Sequence, residues 1–81
     1  MNNEPEVVVF SSPHCGKCHS LMDWMDKAEI KYTEKNLADE TVQKDLQEKV
    51  GHEVVSAPFT LVGDEGVEGF DRKAILKALG R

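Results

Sequence analysis

Four successive apolar side chains, Val7-Val8-Val9-Phe10, follow Pro5 and Glu6 and stop at Ser11-Ser12-Pro13. A short unbroken apolar run between such boundaries predicts a strand, Glu6 to Phe10, buried on both faces at the centre of a sheet. From Gly16 to about Glu29 the period changes. Cys18, Leu21, Met22, Met25 and Ala28 recur at steps of three and four, with Asp23, Asp26 and Lys27 on the other side, which predicts an amphipathic helix. Ile30 to Leu37 sets Tyr32 and Thr33 among alternating charges and reads as a partly exposed edge strand. Asp39 is placed to cap a second helix that presents Val42, Leu46 and Val50 on one face and ends at Gly51.

Beyond a loop with His52 and Ser56-Ala57-Pro58, the apolar segments Phe59 to Val62 and Val67-Glu68 flank Gly63-Asp64-Glu65-Gly66, a hairpin pattern. Asp71 then caps a last helix, Arg72 to Leu79, with Ile75, Leu76 and Leu79 inward and Gly80 at its end. The resulting order is βαβαββα. Its strand-helix-strand opening implies parallel pairing of the first two strands.

Length changes this picture only by limiting it: 81 residues give one domain spanning 1–81, with 1–5 expected to be loose. Fifteen acidic against ten basic side chains, a net charge of −5, argue against a nucleic-acid or anionic-membrane surface, because no Lys/Arg cluster exists to displace counterions. No apolar stretch approaches a membrane span, and Met1 to Glu6 lacks the features of an export signal, so the expected compartment is the cytoplasm.

The two cysteines carry the chemistry. Cys15-Gly16-Lys17-Cys18 sits where the first strand gives way to the first helix, a spacing that lets the sulfurs make and break a disulfide. A bridge closing so small a loop would constrain an unfolded chain little, which weighs against a purely structural disulfide. Disulfide exchange needs a thiolate, and a helix N-terminus stabilises one. Cys15 is therefore the expected nucleophile and Cys18, one turn further in, the resolving thiol. Lys17, and His14 when protonated, can add positive charge, although Lys17 also reads as a plain solvated side chain. Gly16 leaves room beside the sulfurs for a partner backbone.

Taken together, Val7 to Phe10, Ser12-Pro13-His14-Cys15-Gly16-Lys17-Cys18, Ser56-Ala57-Pro58 and Gly69-Phe70-Asp71 resemble a small member of the thioredoxin superfamily, of the glutaredoxin and NrdH-redoxin type. The resemblance implies an α/β thioredoxin-like fold, with a four-stranded mixed sheet and helices on both faces. It implies that Pro58 follows a cis bond and faces the thiols, with Ala57 presenting backbone groups to a bound ligand. Gly69, Phe70 and Asp71 fall where the family binds substrate, though Asp71 also reads as a simple helix cap.

The implied activity is thiol-disulfide oxidoreduction by a monomer with no bound cofactor and no metal. Its partners would be disulfide-containing proteins, ribonucleotide reductase among them. The chain departs from glutathione users at two places. They carry a Lys or Arg a few residues before the first Cys, where this chain has Ser11 and Ser12, and a Gly-Gly-x-x-Asp pattern where it has Glu68-Gly69-Phe70-Asp71. Reduction by NADPH through a thioredoxin reductase is therefore expected at least as much as reduction by glutathione, the alternative.

Other chemistries compete for the same residues. Cys15-Gly16-Lys17-Cys18-His19 is also the C-x-x-C-H pattern of c-type haem attachment, but the distal ligand would have to be His52, since Met22 and Met25 share the thiols' own helix. Zinc or copper on Cys15, Cys18 and His14, His19 or His52 lacks a second cysteine pair. A bridging iron-sulfur cluster would need thiolates from outside the chain. Trp24 and Phe70 are candidates either for a substrate surface or for the core.

Overall fold

The computed structural model describes residues 5–54 and 56–81. Strand β1 (Val7–Ser11) leads to helix α1 (Gly16–Lys27), strand β2 (Thr33–Asn36), helix α2 (Glu40–Val50), strands β3 (Phe59–Val62) and β4 (Glu65–Glu68), and helix α3 (Arg72–Leu79). The sheet order is β2-β1-β3-β4. β1 runs parallel to β2 and antiparallel to β3, and β3 and β4 form the antiparallel hairpin. The βαβαββα order and the mixed sheet are thus those expected.

Alternation along β1 divides the core in two. Val7 and Val9 pack with Leu21, Met25, Ile75 and Leu79, so α1 and α3 cover one face. Val8 and Phe10 pack with Leu46, Leu37, Phe59 and Leu61, which places α2 on the other. Every residue of β1 is buried, as the unbroken apolar run requires. The strand continues one residue past the expected end, into Ser11, whose hydroxyl donates to Glu34 Oε2 at 2.7 Å. That bond satisfies a polar group in a buried strand.

Two elements differ in extent from the pattern. β2 covers only 33–36, all exposed, rather than 30–37. Ile30 is buried, but its N–H donates to Met25 O at 2.8 Å and closes α1 instead of entering the sheet. Leu37 is buried just beyond the strand, its N–H donating to Ser11 O at 2.7 Å. Burial at both ends therefore extended the pattern past the strand itself. β4 begins earlier than expected, at Glu65, because Val62 pairs with Glu65 across a two-residue turn, Gly63-Asp64.

Gly66 owes its identity to close packing. A Cβ there would lie 2.7 Å from Phe59 Cζ, so the phenyl ring occupies the space a side chain would need. The ring is itself held against Phe10, with centroids 6.3 Å apart. Helices α2 and α3 have the expected caps: Asp39 accepts from Thr41 N–H and Asp71 from Ala74 N–H, while Gly51 and Gly80 end α2 and α3. Past α3, Arg81 Nη1 donates to Ala28 O at 3.0 Å, tying the chain end to the end of α1.

Candidate active site

Cys15 is the N-cap residue of α1, with extended backbone (φ −108°, ψ 101°), and its Sγ accepts the Cys18 N–H at 3.1 Å. Sulfur here holds the position that a Ser or Asp oxygen commonly occupies. Because β1 ends at Ser11 and the chain turns before α1 begins, the first thiol is presented at the mouth of the helix and the second is carried inward by the first turn. Cys15 is half-buried, whereas Cys18 is 1% exposed within the core cluster beneath α1. The two are joined as a disulfide, their Cα atoms 5.2 Å apart. No acidic side chain lies in the first turn of α1, so nothing there offsets the positive end of the helix dipole.

The Ala57-Pro58 bond is cis, as the resemblance implies. Pro58 is buried, and its carbonyl accepts the Gly69 N–H at 2.9 Å, which joins the start of β3 to the end of β4. Gly69 has a φ of +72°, in the left-handed region that a side chain would disfavour. Ala57 packs at the edge of both core clusters, and Cys15 at the edge of the one that contains Cys18.

A groove of about 620 Å³ runs past these backbone elements. Lys17 lines it from α1, Ser56, Ala57 and Pro58 from the loop before β3, and Gly69, Phe70 and Arg72 from the segment entering α3. Five residues singled out in the sequence, Lys17, Ala57, Pro58, Gly69 and Phe70, therefore converge. Four others do not line it: the two cysteines, His14 and Asp71. His14 is exposed in the turn before Cys15, and the Asp71 carboxylate is engaged with Ala74 N–H at 3.1 Å.

Trp24 and Phe70 meet with ring centroids 6.2 Å apart, and the Arg72 guanidinium lies over the Phe70 ring, 5.8 Å from its centroid. Phe70 is 37% exposed, whereas Trp24 is half-buried and packs against the core cluster beneath α1, so the pair runs from core to surface. Arg72 was not legible as a site residue. Its only signal was a basic residue directly after a helix cap, next to an aromatic. Among the described residues no three His, Cys, Asp or Glu side chains group as a metal-ligand set, and no helix is long and apolar enough to cross a membrane.

Comparison with known proteins agrees with this geometry. The glutaredoxin family model matches residues 7–67. No curated protein sequence matches. Among solved structures, a crystallised thioredoxin-like protein superposes with a TM-score of 0.78 at 20% identity, covering 91% of this chain and 100% of its own. The glutaredoxin of Archaeoglobus fulgidus gives 0.75 at 16% identity, with 98% and 89% covered. Buckwheat glutaredoxin in complex with glutathione gives 0.64 at 26% identity, with 98% and 79% covered. With a family match over most of its length, a four-stranded mixed sheet and a close cysteine pair at the mouth of α1, the chain belongs to the glutaredoxin family of thiol-disulfide oxidoreductases.

Proposed function

We propose that the protein is a dithiol reductase of protein disulfides in which Cys15 attacks and Cys18 resolves. The observation that carries this reading is the asymmetry of the pair: Cys15 caps the helix, is reachable from solvent and receives an N–H at its sulfur, while Cys18 is enclosed. In the reduced protein, the Cys15 thiolate attacks one sulfur of a substrate disulfide. A Cys15-substrate bond forms, and the other substrate sulfur leaves as a thiolate and takes a proton from solvent. Cys18, as its thiolate, then attacks Cys15 Sγ, which forms the intramolecular disulfide and releases the second substrate thiol. Two electrons pass from the dithiol to the substrate.

The chemistry is complete with the two sulfurs, and electrons enter from an external reductant. Reversible use of the pair suits a reducing compartment, and we place the protein in the cytoplasm as a monomer. For the reductant we favour NADPH through a flavoprotein of the thioredoxin-reductase type, because Ser11, which stands where glutathione users have a cation, donates its hydroxyl to Glu34. Ribonucleotide reductase is one protein target to assay on this reading. A glutathione-dependent activity is the second reading. The groove beside Pro58 with its two cationic side chains favours it, as does the likeness to a glutathione-bound relative.

The test is to oxidise the protein and follow its re-reduction by NADPH with thioredoxin reductase, or by glutathione with glutathione reductase. Flavoprotein-driven reduction that vanishes in Cys15→Ser is expected. Reduction by glutathione alone would establish the second reading, and failure of both systems would overturn the proposal.

A further inference from the structure

The thiol chemistry described above leaves one enclosed polar group unused. Thr60 is fully buried, and among the described residues its Oγ1 is a buried side-chain oxygen with no hydrogen-bond partner. The other buried polar side chain among them, Ser11, donates its hydroxyl to Glu34. A hydroxyl enclosed in this way loses its hydration without a replacement, a cost that valine would avoid at nearly the same shape. Alternation along β3 fixes the face on which Thr60 lies. Phe59 and Leu61, on either side of it, pack in the cluster beneath α2, so Thr60 faces α1 and α3. Its cross-strand neighbours, Val9 on β1 and Val67 on β4, belong to the core cluster that contains Cys18.

The rung formed by Val9, Thr60 and Val67 also lies toward the thiol end of the sheet. Phe10 and Phe59 form the next rung toward that end and face the other way, and Thr60 is two residues from Pro58. α1 starts at the same end and runs back over the sheet, as a crossover between the parallel strands β1 and β2 must. Cys18 is its first buried residue. The first enclosed side chain of the helix and the unpartnered hydroxyl of the sheet therefore share one end of one core layer.

We infer that Thr60 is a further catalytic residue, whose hydroxyl donates a hydrogen bond to Cys18 Sγ once the Cys15-Cys18 bond is open and so favours the resolving thiolate. This rests on the oxidoreductase reading above and concerns its second step. Cys18 shares its cluster with Val9, Leu21, Met25 and Ile75, and apolar surroundings disfavour a thiolate. A sulfur held in a disulfide is neutral and a weak acceptor, which matches the unpartnered hydroxyl of the oxidised form, whereas a thiolate is a strong one. In resolution Cys18 Sγ attacks Cys15 Sγ, the bond from Cys15 to the substrate sulfur breaks, and the proton that Cys18 gives up ends on the departing substrate thiol. Thr60 keeps its own proton throughout.

The experiment mixes reduced protein with one equivalent of dithiobis(nitrobenzoate), whose thiolate product is coloured, in a stopped-flow instrument. The first equivalent of colour reports attack by Cys15, and the second reports resolution by Cys18 and is absent in Cys18→Ser. Thr60→Val should leave the first phase unchanged and slow the second about ten-fold, the scale of one hydrogen bond to a charged sulfur. The pH midpoint of the second phase should rise by about one unit, the same factor expressed as a pKa. Thr60→Ser, which keeps the hydroxyl, should resolve at the wild-type rate. A second phase as fast in Thr60→Val as in wild type would overturn the inference and leave the hydroxyl to a buried water or to packing alone. Equal slowing in Thr60→Ser, or slowing of both phases together, would overturn it as well. A wild-type protein that releases no second equivalent would instead overturn the oxidoreductase reading.

Discussion

Replacing Gly66 with alanine tests whether the β3–β4 hairpin is held by the packing described. The new Cβ would lie 2.7 Å from Phe59 Cζ, 3.4 Å from Cε1 and 3.6 Å from Cε2. Carbon atoms rest about 3.5–4.0 Å apart, so the ring tip must move by about 1 Å. Phe59 is 2% exposed and leans on Phe10, which leaves the ring little space to turn into. Overpacking of this kind costs about 1–3 kcal/mol. Against it, alanine narrows the unfolded ensemble and returns about 0.4–1 kcal/mol. The net expectation is a loss of about 1–2 kcal/mol, equivalent to a fall in Tm of roughly 4–16 °C for a domain of this size.

Urea denaturation of the oxidised protein measures the loss. Adding Phe59→Leu, which removes the ring tip, should recover part of it, with a coupling of about 0.5–3 kcal/mol in the double-mutant cycle. A neutral or stabilising Gly66→Ala, or strictly additive substitutions, would refute the steric explanation. The consequence reaches the site, because this hairpin holds Pro58 and Gly69 together.

Three further outcomes are expected. Thr60 is fully buried on β3 and its Oγ1 has no hydrogen-bond partner, so Thr60→Val should raise the unfolding free energy by about 1 kcal/mol in the same urea assay. Asp71→Ala should lower stability by about 1 kcal/mol through loss of the cap on α3, while Asp71→Asn retains most of it. Tyr32 is the single tyrosine, and its pKa is raised above the usual 10.0, first by partial burial and then by the Asp26 and Glu34 carboxylates. Its phenolate absorbance should therefore emerge at higher pH than in the unfolded chain, and Asp26→Asn should bring it lower. Because the folded value is the raised one, the stability linked to Tyr32 is complete below the unfolded phenol pKa and is lost as pH rises through the folded one.

Much of this architecture is written in local pattern. The unbroken Val7 to Phe10 run marks a strand that is buried along its whole length between two others, and Asp39, Asp71, Gly51 and Gly80 mark helix ends because capping is a short-range interaction. The ends of β2 were not readable: Ile30 and Leu37 are buried by contacts distant in sequence, and burial alone does not tell strand from flanking turn. The early start of β4 follows from the Val62–Glu65 pairing across Gly63-Asp64, a cross-strand register that the turn-rich tetrapeptide did not reveal. Cys15 and Cys18 stood out through their spacing, whereas the cis bond at Pro58 had no signal apart from family resemblance. Arg72 becomes a groove residue only when Phe70, Lys17 and the Ser56 loop are brought together, which only the folded chain does.

The division of labour between the two sulfurs is tested most directly by alkylating the reduced protein over a range of pH and mapping the modified cysteine by mass spectrometry. The N–H at Cys15 Sγ and the unopposed helix dipole predict that Cys15 reacts alone, with a midpoint below the ordinary cysteine value of about 8.5, while enclosed Cys18 stays unmodified. Modification of Cys18 first, or a Cys15 midpoint at or above the ordinary value, would contradict the assignment of Cys15 as the attacking thiolate.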